Sequence, residues 1–326
     1  IIKWLLPLWV ERKGVSDSYR LRVPSKALCV PGPVADWQRI TSHDPCHMSR
    51  DGDALELLRS NVSLPANSIF FHETTCKGDL TSRQVCAVES AAKAHPNNQI
   101  NVLFTSAVSE ETLKHGYVST LYHYDNVKLV RVLIRDFANG TPIASKVAHM
   151  SSDDLNIHIP KIMKFLTLYK YGGIYLSLDV IVARRLDVWK NWAVKESPKT
   201  LSPDMFAFSK NTAGTGLAHE ALGYLIRCPF NKYPFLIIDL AVHGPELFYP
   251  ISFHERNEYF RIVDWENWKK KSIYTYFVWN RFTKYHIVTP GSLFGRIASE
   301  YCPVTYHRYS DTSGVWYPEH DVNWGE

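Results

Sequence analysis

Lys170-Tyr171-Gly172-Gly173-Ile174-Tyr175-Leu176-Ser177-Leu178-Asp179-Val180-Ile181-Val182 is the stretch that decides the fold. Upstream of it, Ile162, Phe165, Leu166 and Tyr169 recur at helical spacing and fall on one face. Pro160 suits a first helical turn, so the spacing predicts a helix over 160–171. Gly172 and Gly173 end it, and Ile174-Tyr175-Leu176 starts a short buried strand.

Working outward, Ile69-Phe70-Phe71 is a short apolar run fit for a buried strand. Residues 82–94 read as a helix, with Val85, Val88, Ala91 and Ala92 in register and Pro96 beyond the end. Residues 100–104 and 127–134 read as further strands. This β-α-β alternation predicts an α/β domain with a mostly parallel central sheet over 68–326. Residues 1–67 are rich in Pro and turn dipeptides and read as an N-terminal stem, which Cys29 and Cys46 would staple. In such sheets ligands sit at the carboxyl ends of strands, which places Ser177-Leu178-Asp179 where chemistry is expected.

The chain has 326 residues, 45% hydrophobic and 21% charged, which excludes a disordered chain. A net charge of +5 without a dense basic run excludes a nucleic-acid binder. Six scattered cysteines without a C-x-x-C pair, and the sequons at Asn61 and Asn139, suit glycosylation and disulfides in the secretory pathway. The apolar opening Ile1 to Val10 is too short to span a bilayer. It reads as the lumenal end of a trimmed anchor or as a docked segment. Asp51-Gly52-Asp53 reads as a solvated turn rather than a metal-gripping triplet. Lys269-Lys270-Lys271 reads as a solvated face, with a membrane-facing patch including Trp265 and Trp268 as the weaker alternative.

The decisive stretch resembles the K-[YF]-G-G-I-Y-L-D-x-D motif of the Golgi α-1,4-glycosyltransferases, whose donor domain is similar to that of the clostridial toxin glucosyltransferases. Further blocks carry the likeness in order: Phe70-Phe71-His72-Glu73-Thr74, residues 86–92, His243-Gly244-Pro245-Glu246-Leu247, Phe248-Tyr249-Pro250-Ile251, Val278-Trp279-Asn280 and Tyr301-Cys302-Pro303. The resemblance implies a Rossmann-like fold of the GT-A type and a type II Golgi membrane protein whose anchor is missing from this chain. It also implies a UDP-sugar donor, Mn2+, a glycan or glycolipid acceptor and retention of configuration. Glu73, Lys161, Lys164, Tyr171, Gly172, Gly173, Ser177, Asp179, Gly244, Pro245 and Trp279 become the candidate donor-binding residues, with Asp179 a weak metal ligand. Relatives carrying the pair imply a Cys76–Cys86 bridge, and Cys228–Cys302 is the remaining guess.

The departures concentrate in one place. The first Asp of D-x-D is Ser177. The family's S-D-x-x-R falls on Pro160, Lys161 and Lys164, and the His before Val-Trp-Asn is Phe277. Hard divalent ions favour several charged oxygens, and a lone carboxylate holds them weakly. Two readings follow. One is a transferase in which Lys161 and Lys164 neutralise the diphosphate. The other, which the replacements favour on sequence alone, is a non-catalytic relative acting as a glycan-binding module or as the homo- or hetero-oligomeric partner of an active transferase.

Overall fold

In a computed structural model, the described residues are 10–12, 19–21, 46–59, 62–198, 200–227, 240–269 and 272–318. The strands are β1 (Val10–Arg12), β2 (Tyr19–Leu21), β3 (Ile69–Glu73), β4 (Ile100–Phe104), β5 (Val127–Arg131), β6 (Gly173–Leu176), β7 (Val180–Val182), β8 (Trp192–Ser197), β9 (Thr200–Phe208), β10 (Ala241–His243) and β11 (Thr275–Phe277). The helices are α1 (Ser82–Ala94), α2 (Glu110–His115), α3 (Ile134–Ala138), α4 (Ala144–Ala148), α5 (Ser152–Tyr171), α6 (Thr212–Arg227), α7 (Trp265–Lys269), α8 (Asn280–Thr283), α9 (Leu293–Tyr301) and α10 (Pro303–Tyr309).

Seven strands form the central sheet in the order β10-β8-β9-β6-β3-β4-β5, and all pairings are parallel except the two made by β9. The fold is therefore α/β with a mostly parallel sheet. β3 and β4 are buried along their whole length, as strands covered on both faces must be. α1 begins where the sequence predicts, with a capping box between Thr81 and Gln84.

Two boundaries differ from the sequence reading. The strand from Val127 ends at Arg131, and Ile134 already opens α3. The long helix α5 begins at Ser152, not Pro160. Ser151 caps it by accepting from the Asp154 N–H, and Asp153 and Asp154 favour the positive end of the helix dipole. Pro160 is thus inside the helix, where it cannot donate the i→i−4 bond. Packing of Leu155, Ile159, Ile162, Met163 and Leu166 into the core outweighs that loss.

The glycine pair is sterically required. Gly172 and Gly173 have φ of 67° and 98°. A Cβ on Gly173 would lie 2.3 Å from the Ser68 carbonyl oxygen. Only glycine turns α5 into β6 at this spacing.

The cysteine pairing corrects the expectation. Cys86 bonds Cys302, and Cys76 bonds Cys46. Cys86 is buried on α1, which packs against α9 and α10, whereas Cys76 lies on the loop after β3. Cys29 and Cys228 lie outside the described residues, as do Asn61, Lys270 and Lys271. Beside the Cys86 bridge, the buried Glu89 accepts from Tyr124 Oη and from the Val304 and Thr305 N–H groups at the start of α10.

The segment before Ser68 packs on the domain from Cys46 onward. Asp53 is not a solvated turn residue. Its side chain is 2% exposed and pairs with the buried Arg131 at 3.0 Å, which corrects the reading of Asp51-Gly52-Asp53. Asp51 and Gly52 are exposed. Trp265 and Trp268 are half-buried against the core, and Lys269 pairs with Glu300. Among the described residues no helix is long and apolar enough to cross a membrane.

Candidate functional site

The carboxyl ends of β3, β6, β8 and β10 share one edge of the sheet, and β9 runs back through it. Ser177 follows β6, and its N–H donates to the Asp204 carbonyl at 2.7 Å. Asp179 donates its N–H to Ser177 Oγ at 3.3 Å, and its carbonyl accepts from Val278 N–H at 3.0 Å. Register places Met205 opposite Leu176, so Asp204 stands beside Ser177. The lost carboxylate of the motif thus has a neighbour from an antiparallel strand.

The titratable groups here are held against their ordinary values. Burial, then the Asp204 charge, pushes the Asp179 carboxyl up to about 7, and the neighbouring Asn280 offsets part of that rise. Burial raises Asp204 too, with Lys164 opposing. Burial and Asp204 raise Glu196 to about 7. Lys164 is pushed down by burial, with Asp204 opposing. Burial and Lys164 lower Lys161 to about 8. Burial and Lys164 also take His72 to about 3, so this imidazole is neutral. Carboxylates and ammonium groups perturbed together at the carboxyl edge of the sheet make this edge the candidate functional site.

Each lysine is positioned by α5. Lys164 Nζ donates to the Pro203 carbonyl at 2.9 Å and lies 5.2 Å from the centre of the Tyr175 ring. Lys161 sits one turn earlier on the same face. Pro203 lies in a part of β9 where pairing with β8 is irregular, as proline in a sheet requires.

Glu73 is at the end of β3 on the same edge, but its carboxylate is taken by the Thr75 backbone and hydroxyl and by Ser106. Burial nonetheless raises it to about 7. Gly244 and Pro245 follow β10 and lead into Tyr249, whose hydroxyl bonds Ser202 beside Asp204. Trp279 is buried with φ of 55°, a left-handed conformation rare for a bulky residue. Its Nε1 donates to the Ile251 carbonyl at 3.3 Å. Strain of this kind gathers at active sites.

Tyr171, Gly172 and Gly173 are not brought to this cleft. They lie at the start of β6, about 10 Å along the strand from its carboxyl end. Tyr171 instead lines a cavity of ≈ 800 Å³ at the opposite edge, together with Asn139, Tyr169, Lys170 and Lys210. Asn139 is exposed at the end of α3.

The donor set does not fit a resident divalent cation. Asp179 is the motif's one remaining carboxylate, the Ser177 hydroxyl accepts from its own loop, and Phe277 packs on Trp279 and Tyr249 with centroids 4.6 Å and 5.0 Å away. Among the described residues, the one group of three His, Cys, Asp or Glu side chains close enough to share an ion is Cys46, His47 and Cys76, and its two sulfurs form a disulfide. The cleft offers another chemistry. Lys161 and Lys164 put two ammonium groups on one face of α5, and Asp179, Asp204 and Glu196 put three carboxyl groups beside them. Sequence reasoning missed Asp204 and Glu196, since neither sits in a motif and only strand order brings them in.

Comparison with known proteins agrees with the blocks read from sequence. Residues 81–196 match the family model described as glycosyltransferase sugar-binding region containing DXD motif. Residues 235–309 match the one described as alpha 1,4-glycosyltransferase conserved region. Lactosylceramide 4-alpha-galactosyltransferase of Rattus norvegicus is 27% identical over 288 residues, covering 77% of this chain and 78% of that protein. Alpha-1,4-N-acetylglucosaminyltransferase of Homo sapiens is 25% identical over 272 residues, covering 73% and 79%. A galactosyltransferase solved with donor and acceptor sugar analogues superposes with a TM-score of 0.40 at 12% identity, over 73% of this chain and 95% of that one.

Proposed function

The chain belongs to the α-1,4-glycosyltransferase family, and from that premise we propose that it transfers a hexose or N-acetylhexosamine from a UDP-sugar to a hydroxyl of a glycan or glycolipid. The reaction takes place in the cleft around Asp179, with retention at the anomeric carbon. The observation that carries this reading is the cluster of Asp179, Asp204, Glu196 and Lys164 that β6, β9, β8 and α5 bring to the carboxyl edge of the sheet.

In the reaction the bond from the anomeric carbon to the diphosphate breaks and UDP leaves with the electron pair. The acceptor oxygen bonds that carbon on the same face, and its proton passes to the departing phosphate oxygen. Negative charge grows on the diphosphate, and groups preset to meet it lower the barrier. Lys161 and Lys164 provide that charge from within the chain, in place of the manganese ion expected from the resemblance. Asp179 and Asp204 orient the sugar through its hydroxyls.

The non-catalytic reading rests on Ser177, Lys161 and Phe277 alone, and the relatives named above, which bear transferase names, lend it no support. A Golgi-lumenal setting is supported by the two disulfides and by the exposed sequon at Asn139.

The test is transfer of labelled galactose or N-acetylglucosamine from the UDP-sugar to lactosyl and N-acetyllactosaminyl acceptors. A product with an α-1,4 linkage is expected, with Asp179→Asn lowering kcat/KM at least about a hundredfold. Absence of both transfer and UDP release with every donor tried overturns the proposal.

A further inference from the structure

The sequon Asn139-Gly140-Thr141 has a defined shape. Asn139 has φ of −58° and ψ of 139°, and Gly140 has φ of 73°. Thr141 N–H donates to the Ala138 carbonyl at 3.1 Å, which closes a type II β-turn. The third position of such a turn demands a positive φ, and glycine fills it here. Asn139 takes the second position and is exposed, as is Gly140. An amide on an exposed turn corner is open to a modifying group.

This turn is part of the wall of the ≈ 800 Å³ cavity at the amino edge of the sheet. All three sequon residues line it, together with Tyr169 and Tyr171 at the end of α5 and Lys210 after β9. The other sequon, Asn61-Val62-Ser63, gives the same cavity its Val62 and Ser63. Two glycosylation signals far apart in the sequence therefore meet one cavity. Its volume lies in the range of small-molecule sites.

The walls select a neutral, hydroxyl-rich occupant. Lys170 Nζ donates to the Phe137 carbonyl at 2.9 Å, and Lys210 Nζ donates to the Tyr169 carbonyl at 3.1 Å. Both ammonium groups are thus engaged by carbonyls near the ends of α3 and α5, where the helix dipole favours cations. Among the described residues, no Asp or Glu lines the cavity. Tyr171 is 6% exposed, and its hydroxyl has no hydrogen-bond partner in the protein. Buried polar groups are nearly always hydrogen-bonded, so this wall lacks a partner that a ligand can bring. Tyrosine rings also offer flat apolar faces to the C–H face of a sugar ring. The innermost sugars of an N-linked glycan are N-acetylglucosamine, which carries hydroxyls, an amide and no charge.

We propose that Asn139 carries an N-linked glycan whose innermost N-acetylglucosamine units fold back into this cavity against Tyr169 and Tyr171, so that the chain binds its own modification. The inference rests on the lumenal setting of the proposed function and on nothing of the reaction. The cleft around Asp179 lies at the carboxyl edge of the sheet, so the glycan closes the amino edge and leaves the cleft open.

The experiment uses the chain secreted from eukaryotic cells that add only high-mannose glycans. Peptide mass mapping is expected to find the glycan on Asn139. An endoglycosidase that cuts between the two innermost sugars is expected to trim Asn139 at least about tenfold more slowly in native wild type than in native Tyr169→Ala, because the packed bond must first leave the cavity. The glycosylated wild type is expected to melt about 3 °C above Asn139→Gln, and that difference disappears when both carry Tyr169→Ala. Circular dichroism matching wild type shows that the variants are folded. Tyr171→Phe, which removes one hydroxyl, is the milder variant and is expected to speed trimming at least about threefold. Absence of the glycan from Asn139 overturns the proposal. Equal trimming rates in wild type and both tyrosine variants overturn it too, since the sugars then stand in solvent. So does a glycan that stabilises Tyr169→Ala as much as it stabilises wild type. A glycan present and protected on a chain that transfers no sugar tells against the proposed function alone.

Discussion

Two buried cations in this chain are treated in opposite ways. Arg131, at the end of β5, faces Asp53 at 3.0 Å and donates to the carbonyls of Cys46 and Ser49 at 3.1 Å and 2.8 Å. Asp53 in turn accepts from the Leu55 and Val108 N–H groups, each at 3.2 Å. The arrangement ties residues 46–58 to the sheet, with Asp53 Oδ2 and Arg131 Nε meeting as an ion pair without a hydrogen bond. Lys164 has one carbonyl, an aromatic face and a carboxylate that burial itself pushes toward neutrality. A charge serving the fold is surrounded by partners of the chain. A charge left in tension with its neighbours is waiting for a group from outside.

That contrast can be broken most forcefully at Arg131. Arg131→Met strands Asp53 in the interior and is expected to cost about 3–5 kcal/mol of stability in chemical denaturation. A loss below about 1 kcal/mol would put Arg131 and Lys164 in the same class. Lys164→Met is expected to do the reverse. Stability stays within about 1 kcal/mol of wild type, because removing a buried ammonium also removes its desolvation cost. UDP affinity falls about tenfold or more by calorimetry, equal to about 1.4 kcal/mol.

A third test uses pH. Burial raises the folded-state pKa of Glu73 to about 7, above the ordinary glutamate value of 4.5. The folded state therefore holds a proton that the unfolded state releases. The stability this contributes is full below pH 4.5 and is lost as pH rises through 7. Glu73→Gln is expected to flatten the fall between these values by about 1 kcal/mol per pH unit. Thermal melts across that range read it, and an unchanged slope would remove Glu73 from the set of strained groups. The smallest expected effect is the sharpest chemically. Ser177→Asp with Phe277→His rebuilds the ligands the motif lacks, so manganese is expected to raise UDP affinity about fivefold in this variant. Manganese having no effect there would mean that the cleft cannot hold the ion even with its ligands restored.

Much of the scaffold was legible. The apolar periodicity of residues 82–94 and the run at 100–104 name their elements because packing there agrees with local preference. Gly172 and Gly173 announce the turn that only glycine can make. The start of α5 was hidden, since Pro160 suggests a first turn and the true cap, Ser151, lies nine residues earlier. Cysteine pairing was hidden because Cys86 meets a residue 216 positions away, which no local spacing encodes. The cleft was half legible. Asp179, Lys161 and Lys164 stand at motif positions, while Asp204 and Glu196 reach it through β9 and β8, whose order in the sheet the sequence does not state. The resemblance marked Tyr171 to Gly173 as donor residues, yet strand direction carries them to the other edge of the sheet.

The central claim is that lysines of the chain itself meet the diphosphate. Titration of UDP into the purified protein, with a chelator and then with manganese, tests it most directly. Binding in the micromolar range that the chelator leaves within about threefold is the predicted result. Binding that disappears with the chelator and returns with manganese, or no binding under either condition, would contradict the account.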